Sequence, residues 1–270
     1  MISPTEILAL AIAFALSGAI AWAGWRWLPE CRRGVVSLLA VAVAYAAGYF
    51  LLAYDDAIPP TRHFHWPPYL VLGAAVVARF AAVPRCPTAL RWALYAAAAL
   101  ACAYFLTPTW PALWPPRPIC IALLAGYILA VTLAIEPLLR RIDPKTMLAA
   151  MIVSLGALAM LITYRVSLVY GIFALLAAAA FAGYAAVAWR KADQVPLAGL
   201  ALLYAVLACG WAFIGCIEPR PAAPGLLIAP FAPLAFAGAV AGSYRERRFA
   251  LQIGAAFAIL AASAAWVIVT

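Results

Sequence analysis

The sequence predicts an all-α fold, a polytopic integral membrane helical bundle of about ten transmembrane helices with no soluble domain. Three observations predict it. Apolar residues make up 69% of the 270 and charged residues only 10%, whereas soluble domains are nearer half apolar and a quarter charged. The few charges fall in clusters separated by long uncharged runs, most of them long enough to cross a hydrocarbon core of roughly 30 Å as a helix. Basic residues also alternate between rich and poor segments along the chain, which is how a polytopic protein encodes its orientation.

The chain reads as a single transmembrane domain, residues 1–270. Its spans are placed at about 6–27, 34–54, 66–83, 90–108, 118–140, 146–164, 166–189, 194–216, 223–244 and 249–269. The segment Met1-Ile2-Ser3-Pro4-Thr5-Glu6 has no basic region and leads into a full-length apolar run, so it reads as the start of a span rather than a cleavable signal peptide. The third span is the least regular because Arg79 interrupts it, but an arginine in a last turn can snorkel to the interface. Spans six and seven are joined by Tyr164-Arg165-Val166-Ser167, short enough to force an antiparallel hairpin. Arg140-Arg141-Ile142-Asp143-Pro144-Lys145 reads as a basic helix end followed by a proline-initiated start.

One set of connections holds Arg26, Arg32 and Arg33; Arg79, Arg85 and Arg91; Arg140, Arg141 and Lys145; Arg190 and Lys191; and Arg245, Arg247 and Arg248. The alternate set holds only Arg62, Arg117, Arg165 and Arg220, so 14 of the 18 basic residues lie on one side. The rich set is expected to be cytoplasmic and both termini exoplasmic, in the plasma (inner) membrane. The net charge of +9 is therefore an orientation signal and not a nucleic-acid footprint. The expected partner is the lipid bilayer, with a membrane-protein partner or a second copy left open. Most tryptophans fall near span ends; Trp22 and Trp211 lie deeper and are expected between helices. Alanine runs at 96–99 and 177–180, and Gly238 with Gly242, are places where helices could approach closely. An odd number of spans per half would allow two inverted halves, although no internal repeat is visible.

Three places could carry chemistry. The first is Tyr54-Asp55-Asp56-Ala57-Ile58-Pro59-Pro60-Thr61-Arg62-His63-Phe64-His65-Trp66-Pro67-Pro68, which holds both histidines and two of the nine acidic residues. In an extended backbone His63 and His65 would point the same way. With Asp55 they could ligate zinc or a similar divalent metal. Without metal, Arg62 could grip a phosphate while Asp55 or Asp56 acts as base. The simpler reading is a proline-stiffened polar loop.

The second place is Glu136, an acid inside a span beside Pro137, with Arg140 four residues on for a helical ion pair. The third is span nine, where Pro230 and Pro233 each remove a helical hydrogen bond and could open a substrate path. Cys120 and Cys216 both fall near exoplasmic ends and could pair; no CxxC or other metal-type spacing occurs. The leading functional reading is a permease or carrier for a small solute. The alternatives are a membrane-embedded enzyme, metal-dependent or a lipid-phosphate-handling transferase, with an exoplasmic site at Asp55–His65, and a non-catalytic subunit of a membrane complex.

Overall fold

The computed structural model describes residues 2–83, 86–111, 113–189, 197, 199–218, 222–241 and 245–269, with the backbone alone described at 30–32, 54–57, 236–241 and 245–251. All regular structure among these residues is helical. In chain order the elements are α1 (Pro4–Trp27), α2 (Glu30–Ala57), a short 3-10 turn (His63–His65), α3 (Pro67–Ala81), α4 (Thr88–Leu106), α5 (Arg117–Leu139), α6 (Pro144–Arg165), α7 (Leu168–Ala188), α8 (Leu200–Ile217), a 3-10 helix (Pro224–Ala241) and α9 (Arg245–Val269). The chain is thus a multi-pass membrane protein: among the described residues, eight helices are long and apolar enough to cross a membrane. Helix α3, with 15 residues, is about 22 Å long and falls short of the hydrocarbon thickness.

Local chemistry sets the helix ends. Ser3 accepts the Glu6 amide at 3.2 Å while the Glu6 carboxylate accepts the Ser3 amide, a reciprocal cap that starts α1. Asp143 accepts the Thr146 amide at 3.1 Å and Pro144 follows at the first helical position, so the turn at 140–145 stops one helix and starts the next. Ser167 caps α7 in the same way, two residues after α6 ends.

Small residues set the packing. Helix α1 buries Ala9, Ala13, Ser17 and Ala21, four positions at a spacing of four that form one smooth stripe. The stripe lies against α2 and α7. Gly183 of α7 sits so close to the Phe14 carbonyl of α1 that an added Cβ would collide with that backbone oxygen. Gly48 of α2 meets the same stripe at Ala9 and Ala13. Of the expected close-packing alanines, Ala98, Ala99, Ala177, Ala178 and Ala180 are buried. Gly242 and the side-chain environment of Gly238 lie outside what is described.

Helix α8 is the central post. Every residue from Leu200 to Gly215 is buried, because α2, α3, α4, α5, α6, α7 and the 3-10 helix all pack around it. A helix apolar on every side belongs in such a position. Trp211 on α8 is buried as expected, donating its indole N–H to the Tyr45 hydroxyl at 3.0 Å. Trp22 is not between helices: it is 57% exposed and meets only Trp27 edge-on among the described ring contacts. The stripe that α1 buries runs through Ala21, and the neighbouring position 22 is rotated about 100° away from it.

Span nine departs most from an ordinary helix. Residues 224–241 wind as a 3-10 helix, a form that normally lasts only three or four residues. Its prolines explain the choice. Pro224, Pro230 and Pro233 are separated by multiples of three, so at three residues per turn they lie along one edge. At about 2.0 Å per residue the 18 residues extend about 36 Å, more than the same number of α-helical residues would cover.

Candidate functional site

The two prolines in span nine dictate which backbone groups need help. In a 3-10 helix each amide bonds the carbonyl three residues back. Pro230 and Pro233 have no amide hydrogen, so Leu227 and Pro230 lose their carbonyl partners. Two tyrosines supply replacements. Tyr127 of α5 donates to the Leu227 carbonyl at 2.6 Å, and Tyr204 of α8 donates to the Pro230 carbonyl at 3.0 Å. Ser154 of α6 donates to the Ala229 carbonyl at 2.8 Å and lies 2.7 Å from the Tyr204 hydroxyl. Near the start of the segment, Ser263 of α9 donates to the Gly225 carbonyl at 2.7 Å. Pro230 and Pro233 are both buried. The carbonyls of Leu227 and Pro230, which lose their amide partners to these prolines, are held by neighbouring hydroxyls.

Two cavities approach this segment from opposite ends of the bundle. The larger, about 1060 Å³, lies between the 110–115 connection, the first half of α5, the end of α8 and the start of the 3-10 helix. It reaches Leu227 and Phe231. The smaller, about 420 Å³, lies between the start of α6, the end of α7 and α9, and reaches Ala232. Phe231 and Ala232 are adjacent in sequence, so the two cavities reach neighbouring residues of the 3-10 segment. Ser154 and Tyr204 tie down Ala229 and Pro230 just before them.

Glu218 is the one charged side chain lining the larger cavity among the described residues. This acid caps the C-terminus of α8, where the helix dipole is negative and a carboxylate is disfavoured. Its described contacts come from two other segments. His63 Nε2 lies 3.0 Å from Glu218 Oε1, with both side chains largely buried. The Tyr170 hydroxyl of α7 donates to the same oxygen at 3.3 Å. The His63–Glu218 approach lacks the alignment of a hydrogen bond, so the two groups meet as a close polar contact. Trp110, a cavity-lining residue, meets the His63 ring edge-on at 5.3 Å.

His63 is aimed there by the backbone of 63–65. This stretch is a 3-10 turn, not an extended segment, so residues 63 and 65 point in different directions. The Tyr49 hydroxyl pins the turn by donating to the Phe64 carbonyl. His65 is buried and packs edge-on to Phe64 at 4.5 Å, away from the shared orientation expected from an extended strand. Arg62 is exposed, its guanidinium carbon 5.8 Å from the Phe64 ring centre. The Asp55 and Asp56 side chains lie outside the described residues. Among the described residues no group of three or more His, Cys, Asp or Glu side chains is placed to hold a metal.

Glu136 is elsewhere. It is buried near the opposite end of α5 and pairs with Arg140 at 3.1 Å, the arginine being exposed. Its second oxygen has no hydrogen-bond partner among the described residues, and neither has the buried Tyr95 hydroxyl, which lies within electrostatic reach of it. Glu136 lines neither of the two cavities. Cys120 and Cys216 both line the larger cavity and are not bonded to each other in this structure.

Sequence reasoning does not single out Glu218 as a site residue, nor Tyr127, Tyr170 and Tyr204. A signal for Glu218 was present, an acid directly before proline at the end of an apolar run. The tyrosines gave none, because a phenol in an apolar helix is as suited to simple packing. Among protein-family models, curated proteins and solved structures, none matches this chain.

Proposed function

We propose that the chain is a permease or carrier for a small solute, with the solute path running along the 3-10 segment between the two cavities. The observation that carries this reading is the partition: two cavities from opposite ends meet adjacent residues of one proline-broken helix. Phe231 lies seven residues into that helix, about 14 Å from its start. Val153, the deepest α6 residue of the smaller cavity, lies about 14 Å from the start of α6. Together the two cavities cover most of a hydrocarbon core of about 30 Å. Broken helices near mid-membrane are where transporters place their solutes. The alternation of basic residues supports an exoplasmic His63 end, exoplasmic termini and insertion in the plasma (inner) membrane.

Opening would require the Ser154, Tyr204 and Tyr127 hydroxyls to exchange partners, a cost of a few kcal/mol at most at about 1 kcal/mol per hydrogen bond. The test is solute flux in sealed proteoliposomes, followed by light scattering after an osmotic step with neutral, cationic and anionic solutes in turn. The expected result is faster volume recovery than in protein-free vesicles for one solute class. Identical recovery for every class removes the reading.

One observation favours a second reading, an enzyme working at the His63 end: an imidazole lies 3.0 Å from a carboxylate that lines the larger cavity, two groups able to act as acid and base once a substrate aligns them. Arg62, Asp55 and Asp56 would then serve as phosphate-gripping and acidic groups around a lipid-phosphate donor, with or without a divalent metal at His63 and Asp55. Elemental mass spectrometry on the purified chain tests the metal version. Near-stoichiometric metal lost in His63→Ala supports it, and equal trace metal in both proteins removes it.

A further inference from the structure

We infer that the larger cavity binds an organic cation, a quaternary or protonated amine carrying apolar substituents, with its charge at Glu218 and its body against the surrounding rings. The inference names the solute class of the carrier reading and rests on that reading only for transport, not for binding.

Three features of the cavity select that chemistry. Its volume of about 1060 Å³ accommodates a drug-sized molecule. Trp110, Trp114, Tyr127, Phe213 and Phe231 supply five aromatic rings to its wall, and ring faces attract cations, most strongly where water is excluded. Glu218 is the one charged residue lining it among the described residues, and no lysine or arginine joins it there. An anion would meet that carboxylate with no lysine or arginine among the described lining residues to offset it. A neutral apolar solute would leave that carboxylate half-buried and poorly solvated. A cation satisfies both the acid and the rings.

The carboxylate is also ready to receive one. Both described contacts, from His63 and Tyr170, fall on Oε1, which leaves Oε2 for a ligand. The His63 ring lies against the same carboxylate that the ligand needs, so removing it would free Oε1 as well. Glu218 sits at the disfavoured end of α8, so it gains little by remaining alone.

The experiment is isothermal titration of the purified full-length chain in mild detergent with benzyltrimethylammonium, against benzenesulfonate as an anion of similar size. The expected result is saturable binding of the cation and none of the sulfonate. Glu218→Gln should weaken the cation at least tenfold, Glu218→Asp should weaken it less, and His63→Ala should tighten it severalfold. If Glu218→Gln does not stay monodisperse, Glu218→Asp and Trp110→Ala carry the test, each expected to weaken binding. Equal binding of both ions, no binding of the cation, or binding unchanged in every Glu218 and Trp110 variant overturns the inference. Flux of other solutes without cation binding overturns this inference and leaves the carrier reading standing. Saturable cation binding with no solute flux does the reverse.

Discussion

Removing the Tyr204 hydroxyl is the sharpest perturbation the structure offers. Tyr204 is fully buried, donates to the Pro230 carbonyl at 3.0 Å and touches Ser154 Oγ at 2.7 Å. Ser154 in turn donates to the Ala229 carbonyl at 2.8 Å. Each hydroxyl carries a single proton, so these three contacts share two protons, and Tyr204 is the described donor to the Pro230 carbonyl. In Tyr204→Phe, Ser154 keeps Ala229 and the Pro230 carbonyl is orphaned. Pro233 cannot rescue it, because proline has no amide hydrogen.

An unsatisfied buried carbonyl costs about 1–3 kcal/mol in water-soluble proteins, and side-chain hydrogen bonds inside membranes average nearer 0.6 with a maximum near 1.7. A loss of about 1–2 kcal/mol is therefore expected, a fall in Tm of about 2–6 °C for a chain of this size. The comparison that makes the value informative is Tyr127→Phe. It frees the Leu227 carbonyl by the same chemistry, but both residues line the larger cavity, where water can take over. Its cost should stay below about 1 kcal/mol. Thermal unfolding in detergent, followed by intrinsic fluorescence, measures both. A Tyr204→Phe protein within 1 °C of wild type, or a larger loss in Tyr127→Phe, would refute the claim that hydroxyls restore what the prolines remove.

Three further predictions use the same unfolding assay. Gly183→Ala should cost about 1–3 kcal/mol, because its methyl group meets the Phe14 backbone, while Gly126→Ala on α5, with open space around it, should be neutral or slightly stabilising. Arg140→Ala should cost about 1–3 kcal/mol, because it leaves the buried Glu136 carboxylate without its partner; Glu136→Gln should cost less, because it removes the buried charge together with its pairing. Ser3→Ala should lower stability by about 1 kcal/mol through loss of the α1 cap, and Ser3→Asp should largely preserve it.

The helical layout was legible in the sequence because the physics that inserts a chain into lipid acts on local composition. Uncharged runs located α1, α2 and α4–α7 to within a few residues. The short turns at 140–145 and 164–167 were visible through Asp143-Pro144 and Ser167, whose chemistry is local. The winding of span nine was hidden behind an α-helical expectation. Its cue was the spacing of Pro224, Pro230 and Pro233 in multiples of three, which matters only once a 3-10 helix is considered.

The site was less legible for a different reason. His63 meets Glu218 across 155 residues, and Tyr127 meets Leu227 across 100. One sequence carries no signal for such pairs. The His63-Phe64-His65 stretch was misjudged in backbone form: a 3-10 turn sends the two rings apart, and one of them finds the acid at the end of α8 rather than a partner in its own loop.

The partition at Phe231 and Ala232 is the account's central claim, and side-resolved thiol labelling tests it most directly. Single cysteines at Phe231, Ala232 and Trp114 would be placed in a chain whose six native cysteines are replaced, reconstituted in sealed vesicles and exposed to a membrane-impermeant maleimide from one face at a time. The account predicts that Phe231→Cys reacts only from the face that labels Trp114→Cys, which is 85% exposed beside the larger cavity. It predicts that Ala232→Cys reacts only from the opposite face. Labelling of both from one face, or of neither while Trp114→Cys reacts fully, would contradict it.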